Sequence, residues 1–264
     1  MSPPWAATAL GAARSGCAAL MDLVLPTTCS ACEADDVSAN GLCDACSVKL
    51  LSLAALRYCP RCGATVGPNI PVREDGCSAC PQPLPRFASV TRLGPYAFPL
   101  RRIVQNLKYH RIETMCPYLG RMLTGALTAR HDPEAFDLIL AVPMHWRRRL
   151  WRGCDHARAL ARAVGRRLGV PLGDELVRTK HTPPQVHLSR TRRIENVRGA
   201  FAVARAGGLA GARVLLVDDV TTTSATANEA ARTVLRAGAS RVDLAVVAKA
   251  EPPRAYTEHF PGGA

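Results

Sequence analysis

The sequence predicts an α/β fold in which a mostly parallel sheet is flanked by helices, with a small cysteine-rich module before it. Two short apolar runs, 137–142 and 214–217, have the composition of strands that are buried on both faces. Polar residues follow each run directly, as is common where parallel strands deliver functional groups to a site. Four Cys-x-x-Cys pairs indicate the separate module. A chain of 264 residues is long enough for a core domain and a smaller one.

The chain is strongly basic, with 34 Lys and Arg residues against 21 Asp and Glu residues and a net charge of +13. This excess attracts polyanions such as nucleic acids or polyphosphorylated substrates, although a solvated Arg-rich surface has the same composition. Hydrophobic residues make up 48% of the chain, which is enough for a folded core. Aromatic residues make up only 5%, so there is no obvious stacking platform for single-stranded nucleic acid.

The N-terminal segment, residues 1–25, lacks the features of a secretory signal and of a membrane span. It is apolar, but it has no basic start, contains internal charges and offers no small-residue cleavage site. We predict a short amphipathic helix that ends before Pro26, with Leu20, Leu23 and Val24 packed on the following module. The predicted location is the cytoplasm, where paired cysteines more often bind metal than form disulfides.

The cysteine pairs predict a zinc module. Two thiolates three positions apart can bind one Zn²⁺ from the same side, and a second pair completes a tetrahedral site. Ten residues separate the first two pairs and fourteen separate the last two, which is a ribbon-like spacing. We expect two structural zinc ions held by consecutive pairs, although an interleaved pairing fits the spacing equally well; a redox role is less favoured. The predicted ligands are Cys29, Cys32, Cys43, Cys46, Cys59, Cys62, Cys77 and Cys80.

Three elements are predicted between this module and the first buried strand. Residues 87–98 alternate in polarity like a hairpin with a Gly94-Pro95 turn. Residues 100–109 form an amphipathic helix that ends in Lys108, which could contact an anion or lie on a solvated edge. Another helix is predicted at 118–129.

The strand at 137–142 leads into a basic turn with Pro143, His145, Arg147 and Arg152. Several guanidinium groups at the carboxyl end of a strand suit a pyrophosphate group, because Arg makes charge-assisted bidentate hydrogen bonds to phosphate oxygens. His145 is more typical of a structural loop residue than of a catalyst. The elements that follow are a helix at 155–168, a strand at 175–180, short strand character at 201–203, a last strand at 241–250 and a loose tail at 251–264.

A polar, basic segment at 182–201 carries Arg190 and Arg198. Its length and weak periodicity predict either a flexible linker or a functional lid. Its position between two strands of one sheet favours the lid.

The stretch 214–226 contains the strongest site signal, because a buried strand ends in Asp218 and Asp219 and hydroxyl residues then lead into a helical pattern at 227–237. This order is typical of a phosphate and sugar-diol site in an α/β sheet. The two acids suit ribose hydroxyls and, directly or through water, a divalent cation, and they are the predicted catalytic residues. A buried strand that ends in an Asp helix cap is the simpler alternative. The predicted phosphate-binding residues are Val220, Thr221, Thr222, Thr223, Ser224, Ala225 and Thr226.

Several short motifs support this interpretation when they are taken together. They are Leu107-Lys108-Tyr109, Val142-Pro143-Met144-His145 with Arg152-Gly153, Thr182-Pro183-Pro184-Gln185, Leu188-Ser189-Arg190, Asn196-Val197-Arg198-Gly199-Ala200-Phe201 and Val217-Asp218-Asp219-Val220. With these motifs and the cysteine pairs, in this order over roughly 29–250, the chain resembles the ComF/GntX family of amidophosphoribosyltransferase-like proteins. The stretch 214–226 resembles the phosphoribosyl pyrophosphate (PRPP) motif of type I phosphoribosyltransferases.

The resemblance implies a double zinc ribbon at 26–86 and a type I phosphoribosyltransferase fold at 87–250, with structural zinc and with Mg²⁺ bound alongside PRPP. It implies that Asp218 and Asp219 hold the ribose hydroxyls and that residues 222–226 hold the 5′-phosphate. The turn after Val142 would approach the pyrophosphate. Because ComF proteins are associated with natural competence, it also implies single-stranded DNA and the competence machinery as partners.

The chain departs from the family pattern in two places. Ser224 stands where the phosphate loop usually has glycine, and a Cβ there costs roughly 1 kcal/mol or more if the position needs a positive φ. The family often has Arg-Gly-Phe-Asn-Gln where this chain has Arg-Gly-Cys-Asp-His at 152–156, which puts Asp155 beside the predicted pyrophosphate site.

These observations leave three functional hypotheses. The first is transfer of ribose 5-phosphate from PRPP to an acceptor that the sequence does not identify. The second is handling of single-stranded DNA without turnover, and the third is regulation by metabolite sensing. The sequence favours a PRPP-binding fold over any single biological role and leaves the oligomeric state open.

Overall fold

The computed structural model describes residues 28–73, 75–109, 113–132, 134–145, 155–180, 190–205 and 208–251. The predicted helix at 1–25 and the predicted tail beyond Glu251 lie outside the described residues. Among the helices in these ranges, none combines the length and the apolar character needed to cross a membrane.

The described residues form a parallel sheet of five strands and a separate antiparallel pair. The strands are β1 (Val90–Pro95), β2 (Leu138–Ala141), β3 (Leu172–Gly173), β4 (Leu176–Arg178), β5 (Phe201–Val203), β6 (Arg213–Thr221) and β7 (Arg241–Lys249). The order in the larger sheet is β1-β7-β6-β2-β3, so β6 lies at its centre, and β4 pairs with β5 in the smaller sheet. Residues 214–217 of β6 are fully buried, which confirms the prediction of a strand covered on both faces.

Helices pack around this sheet. They are α1 (Asp44–Ala54), α2 (Leu100–Tyr109), α3 (Cys116–Thr128), α4 (His156–Leu168), α5 (Arg190–Val197) and α6 (Ala225–Arg236), with a 3-10 turn at Glu113–Met115. The bounds of α2 agree with the sequence prediction. Helix α4 begins one residue later than predicted because Asp155 is its N-cap, and the Asp155 carboxylate accepts a hydrogen bond from the Arg158 N–H at 3.1 Å.

The hairpin predicted at 87–98 is wrong. Gly94 is part of β1, which runs parallel to β7 and places Gly94 beside Ala248. The glycine is explained by close packing, because a Cβ at this position would lie 2.8 Å from Leu100 Cδ1 and 3.1 Å from Leu53 Cβ. Leu53 of helix α1 therefore packs directly on the sheet. The alternating polarity of residues 87–98 did not indicate this contact.

The segment at 182–201 is not a loop throughout. Its second part forms α5, and Val197 and Ala200 are buried beside α6, where Glu229 accepts a hydrogen bond from the Gly199 N–H at 2.7 Å. The segment does connect two strands of one sheet, since Leu176 of β4 pairs with Val203 of β5. Residues 181–189 lie outside the described residues.

The cysteine-rich module shares a hydrophobic core with the sheet. Leu50 and Leu53 of α1 are buried in one cluster with Leu107 of α2 and Leu215 of β6. The sequence did not predict α1, which begins directly after Cys43. The module is therefore packed against the elements whose ends form the candidate site.

Candidate functional site

Strand β6 places the two predicted acids at the carboxyl edge of the parallel sheet. The Asp218 carboxylate accepts a hydrogen bond from the Asp219 N–H at 2.9 Å, and the Asp219 carboxylate accepts one from the Val220 N–H at 2.6 Å. Both side chains are partly buried. Each acid is therefore oriented by a neighbouring backbone amide, and neither is the cap of α6, which is Ser224.

Lys108 at the end of α2 meets these acids. Its Nζ lies 2.9 Å from Asp219 Oδ2. Burial disfavours the ammonium of Lys108, but the charge of Asp219, the hydrogen bond with it and the charge of Asp218 together outweigh this effect and raise the pKa of Lys108. Lys108 is thus paired with Asp219, and its side chain is only 22% exposed.

Asp218 has a different electrostatic environment from Asp219. Burial, and next the charge of Asp219, raise the pKa of Asp218 to about 8. The charge of Asp155 acts in the same direction, so this departure from the family pattern affects the acids themselves.

The hydroxyl-rich loop between β6 and α6 contains a strained residue. Ser224 has φ of 62° and ψ of 9°, the left-handed conformation that glycine adopts without penalty. For serine this conformation costs roughly 1 kcal/mol or more. The Thr221 hydroxyl donates to Ser224 Oγ at 3.2 Å, and the Asn228 N–H donates to the Ser224 carbonyl at 2.8 Å. The conformation is thus held from both sides at the first turn of α6, where the helix dipole favours an anion.

The loop also contacts a lysine that the sequence analysis overlooked. Lys249, the last residue of β7, donates from Nζ to the Thr222 carbonyl and lies 3.4 Å from Ser224 Oγ. The available signal for Lys249 was a charged residue at the carboxyl end of a buried strand. That strand lies next to the strand that carries the acids. It was missed because the strand order is not visible in the sequence.

The turn after β2 lies next to the acids. The Val142 N–H donates to the Val217 carbonyl at 2.9 Å, so the turn that begins at Pro143 starts beside the residue that precedes Asp218. His145 is buried, as is common for a structural loop residue. Arg147 and Arg152 lie outside the described residues.

Arg198 lies near the phosphate loop. It is exposed and lines a cavity of about 680 Å³ together with Thr223, Ser224 and Arg232. The cavity also reaches Pro81 in the exit from the cysteine-rich module. Arg190 begins α5, and its side chain is outside the described residues.

The eight predicted zinc ligands form two separate tetrads. Cys29, Cys32, Cys43 and Cys46 form the first, Cys59, Cys62, Cys77 and Cys80 form the second, and the sulfur atoms within each lie within 4.8 Å of one another. The consecutive pairing is therefore correct, and the interleaved alternative is not. We call the two halves of the module ribbon 1 (residues 29–46) and ribbon 2 (residues 59–80).

Both tetrads fit zinc. Sulfur separations of 3.6 Å in ribbon 1 and of 3.7 and 3.8 Å in ribbon 2 match the edge of about 3.8 Å of a tetrahedron with Zn–S bonds near 2.3 Å. Gly76 has a φ of 119°, and a Cβ there would lie 2.4 Å from Cys80 Sγ, so the tight turn needs glycine.

Comparison with known proteins agrees with this architecture. The family described as double zinc ribbon domain matches residues 20–86, and the family described as phosphoribosyl transferase domain matches residues 155–259. The DNA utilization protein YhgH of Salmonella typhi is 31% identical over 229 residues, which cover 84% of this chain and 96% of that protein. The chain belongs to the ComF family. Competence protein F of Haemophilus influenzae is 29% identical over 219 residues, covering 81% of this chain and 93% of that protein.

Solved structures similar to this ComF-family chain include two phosphoribosyl enzymes. The glutamine PRPP amidotransferase from B. subtilis matches at 21% identity with a TM-score of 0.35, over 50% of this chain and only 25% of that longer chain. The purine phosphoribosyltransferase from Pyrococcus horikoshii Ot3 matches at 17% identity with a TM-score of 0.33, over 51% and 84% of the two chains. The two family matches, together with the parallel sheet and its helices, show that the ComF-family chain combines a double zinc ribbon with a type I phosphoribosyltransferase fold, as predicted.

Proposed function

We propose that this ComF-family protein binds PRPP or a related phosphorylated ribose, together with Mg²⁺, at the carboxyl edge of its parallel sheet. The observation that carries the proposal is the junction of β6 and α6, where two oriented acids precede a loop at a helix N-terminus. Acids at this position suit a sugar diol, and the loop suits a phosphate.

The ribose end of the site consists of Asp218, Asp219 and Lys108. Asp218 with its raised pKa can both donate and accept hydrogen bonds at neutral pH, as a pair of ribose hydroxyls requires. Asp219 is held by Lys108 and by the Val220 N–H. Carboxylate oxygens are also ligands that Mg²⁺ prefers, so these acids fit a cation that arrives with PRPP.

The phosphate end consists of residues 220–226, with Ser224 as the bend before α6. Cationic groups for the pyrophosphate come from the surrounding elements. Lys108 and Arg198 are described cationic candidates, and Pro143 and His145 lie in the described turn after β2. We propose Arg147, Arg152 and Arg190 from the sequence alone.

A transferase would use the same arrangement. The bond from the ribose anomeric carbon to the pyrophosphate oxygen would break, with the electron pair leaving on pyrophosphate, and a bond to an acceptor atom would form. Bound Mg²⁺ would neutralise charge on the leaving pyrophosphate, while Lys and Arg side chains donate hydrogen bonds to its oxygens. The acids would hold the ribose as its anomeric carbon becomes positive.

Calorimetry with PRPP and Mg²⁺ tests the proposed site. We expect wild type to bind and the double variant Asp218→Asn/Asp219→Asn to lose at least tenfold in affinity. The adjacent pair Asp35 and Asp36 offers a matched control, because both are exposed and Asp35→Asn/Asp36→Asn makes the same two substitutions elsewhere in the chain. Equal affinity of wild type and the Asp218/Asp219 variant would rule out this site.

Pyrophosphate release separates an enzyme from a sensor. A protein that binds PRPP should release pyrophosphate with one acceptor from a panel of purines, pyrimidines and other amines if it is a transferase. Tight binding without release across the panel would favour the metabolite-sensing role.

Handling of single-stranded DNA is the second candidate function. Its support is the net charge of +13, together with the exposed Arg86 and Arg198 and the partly exposed Arg232 around the cavity beside the phosphate loop. The names of the relatives, a DNA utilization protein and a competence protein, point the same way and extend the candidates to competence proteins as partners. We expect binding of single-stranded oligonucleotides that weakens steeply with salt. No binding at low salt would exclude this role.

The cytoplasmic location stays a prediction that cell fractionation would test.

A further inference from the structure

A buried ammonium group lies against the phosphate loop. Lys249 is only 9% exposed, and its Nζ donates to the Thr222 carbonyl and lies 3.4 Å from Ser224 Oγ. The Thr221 hydroxyl donates to the same Oγ at 3.2 Å. Thr221 and Ser224 are also buried, at 4% and 5% exposure. Three buried polar side chains thus meet at the base of the loop.

The backbone fixes the position of Lys249 from both sides. Lys249 is paired with Thr221 in β6 and with Pro95 in β1. Its carbonyl accepts a hydrogen bond from the Tyr96 N–H at 2.7 Å, and the Ala250 N–H donates to the Thr221 carbonyl at 2.8 Å. The ammonium is therefore placed by the sheet and does not depend on a ligand to reach the loop.

Ribbon 2 covers the stem of this lysine and anchors the chain after it. A Cβ on Gly63 would lie 3.8 Å from Lys249 Cδ, so ribbon backbone packs directly on the stem. The Glu251 carboxylate accepts hydrogen bonds from the Thr65 N–H at 2.5 Å and from the Thr65 hydroxyl at 2.6 Å. The fully buried Arg92 guanidinium lies 3.6 Å from the same carboxylate.

The contact with the Thr222 carbonyl has a direct consequence for the loop. In a trans peptide the C=O and the following N–H point in opposite directions. Because Lys249 holds the Thr222 carbonyl, the Thr223 N–H must point away from Lys249. Backbone N–H groups that point out of a loop before a helix are the donors that bind a phosphate.

The contact of Lys249 with Ser224 Oγ helps to hold Ser224 in its strained backbone conformation. Glycine would adopt φ of 62° freely, whereas serine does so only where the surroundings hold it. The ammonium of Lys249 and the hydroxyl of Thr221 both engage Ser224 Oγ, and these contacts are available only to the serine. They offset the penalty of replacing glycine at this bend.

We propose that Lys249 is the positioning residue of the phosphate loop. Lys249 turns the backbone amides of the loop toward a phosphate and stabilises Ser224 in its left-handed conformation. It thereby makes the site selective for a terminal phosphate dianion. The claim about ligand selectivity rests on the proposed function of this site. The claim about loop conformation does not.

Ligand binding tests the first claim with ribose 5-phosphate as the probe. We expect Lys249→Met to weaken binding at least tenfold and Lys249→Arg, which keeps the charge, to stay within about threefold of wild type. Arg166→Met is the matched control, because it removes one positive charge from an exposed position on α4 and should leave affinity unchanged. The second pKa of a phosphate monoester is about 6, so the advantage of wild type over Lys249→Met should grow between pH 5 and 7.

Thermal unfolding tests the second claim without any ligand. Lys249→Met should lower the melting temperature more in the Ser224 background than in the Ser224→Gly background, with a difference of about 3 °C. Far-UV circular dichroism and zinc content check that each variant is folded.

The two measurements distinguish the possible failures. If wild type binds neither ribose 5-phosphate nor PRPP, the proposed function is wrong, and the melting experiment still decides the role of Lys249 in the loop. If wild type binds and Lys249→Met binds within twofold of it, the claim on selectivity is overturned. Equal melting effects of Lys249→Met in the serine and glycine backgrounds overturn the claim that Lys249 supports Ser224.

Discussion

The two ends of the proposed site differ in how they are anchored to the zinc ribbons. At the ribose end, Lys108 belongs to α2, which contacts ribbon 1 through the Asn106 side chain and the Ser30 carbonyl at 2.8 Å. The other described polar contact is the ion pair of Arg102 and Glu33 at 2.8 Å, whose side chains are 47% and 68% exposed. An exposed pair of this kind contributes about 0–1 kcal/mol.

At the phosphate end, the anchor is buried. Glu251, two residues after Lys249, contacts Thr65 in ribbon 2 and Arg92 in β1, and the side chains of Arg92 and Glu251 are 0% and 4% exposed. The Arg92 guanidinium also lies over the Tyr58 ring, 4.9 Å from its centre. Removing one member of a buried pair costs about 3–5 kcal/mol, because it leaves the other charge unpaired.

The difference lies in the burial of the polar contacts. At the phosphate end the charged pair that joins β1 to the end of β7 is buried, whereas at the ribose end the ion pair of α2 with ribbon 1 is exposed and α2 also shares an apolar core with ribbon 1. A phosphate loop whose anchor is buried before a ligand arrives suits the binding of a 5′-phosphate.

The largest expected effect comes from the zinc ligands. Cys62 lines a cavity with Thr222, Thr223 and Lys249, so Cys62→Ser should remove one zinc ion and weaken ribose 5-phosphate binding by tenfold or more. Cys32→Ser in ribbon 1 should also remove one zinc ion but leave phosphate affinity within about threefold. Metal analysis and calorimetry on both variants measure this, and equal losses of affinity would contradict the distinction between the ribbons.

Arg92→Met tests the buried anchor itself. We expect it to lower the free energy of unfolding by about 3–5 kcal/mol, because Glu251 would keep its charge without the guanidinium. Arg130→Met is the matched control, since Arg130 is exposed and its guanidinium lies over the same Tyr58 ring, 4.2 Å from the ring centre. Urea denaturation should show a loss below about 1 kcal/mol for the control. A similar small loss for Arg92→Met would show that the anchor is weak.

Asp218→Asn tests the ribose end through its pH dependence. The folded pKa of about 8 is above the unfolded value, so the contribution of Asp218 to stability is complete below pH 4 and is lost as pH rises toward and through 8. Asparagine does not titrate, and the free energy of unfolding of the variant relative to that of wild type should therefore rise as the pH increases from 5 to 9. Urea denaturation at pH 5, 7 and 9 measures this. Parallel pH profiles for the two proteins would contradict the raised pKa.

The smallest effect is expected for Arg102→Gln at the contact with ribbon 1. The pair with Glu33 is exposed, so the loss in unfolding free energy should be about 0.5 kcal/mol and should shrink with added salt. A loss as large as that of Arg92→Met would mean that ribbon 1 is anchored as firmly as ribbon 2.

The sequence analysis predicted the features that are encoded locally. The zinc ligands follow from spacing within each ribbon, and the bounds of α2 follow from an apolar period that ends at Tyr109. Asp218 and Asp219 were found because they directly follow a fully buried apolar run. In each case the signal lies within about thirty residues of contiguous sequence.

The errors and omissions involve partners that are distant in the chain. Gly94 was assigned to a hairpin turn, yet it pairs with Ala248 and packs against Leu53. The role of Lys249 could not be found without the strand order that places it beside Thr221. The Arg92 and Glu251 contact joins β1 to the end of β7 in the same way.

The sequence by itself thus determined the chemistry of this protein: eight thiols in pairs, two acids at a strand end, a hydroxyl loop and the resemblance to the ComF family. The tertiary structure decided which charges meet. Parallel strands bring residues from distant parts of the chain to one edge, and their order puts Lys249 on the phosphate loop. The packing of helix α2 puts Lys108 on Asp219. Ribbon 2 also lies beside that loop, where Cys62 and Thr223 line one cavity. A sheet with both faces buried needs other elements of the chain to cover it, and the zinc module supplies part of this cover.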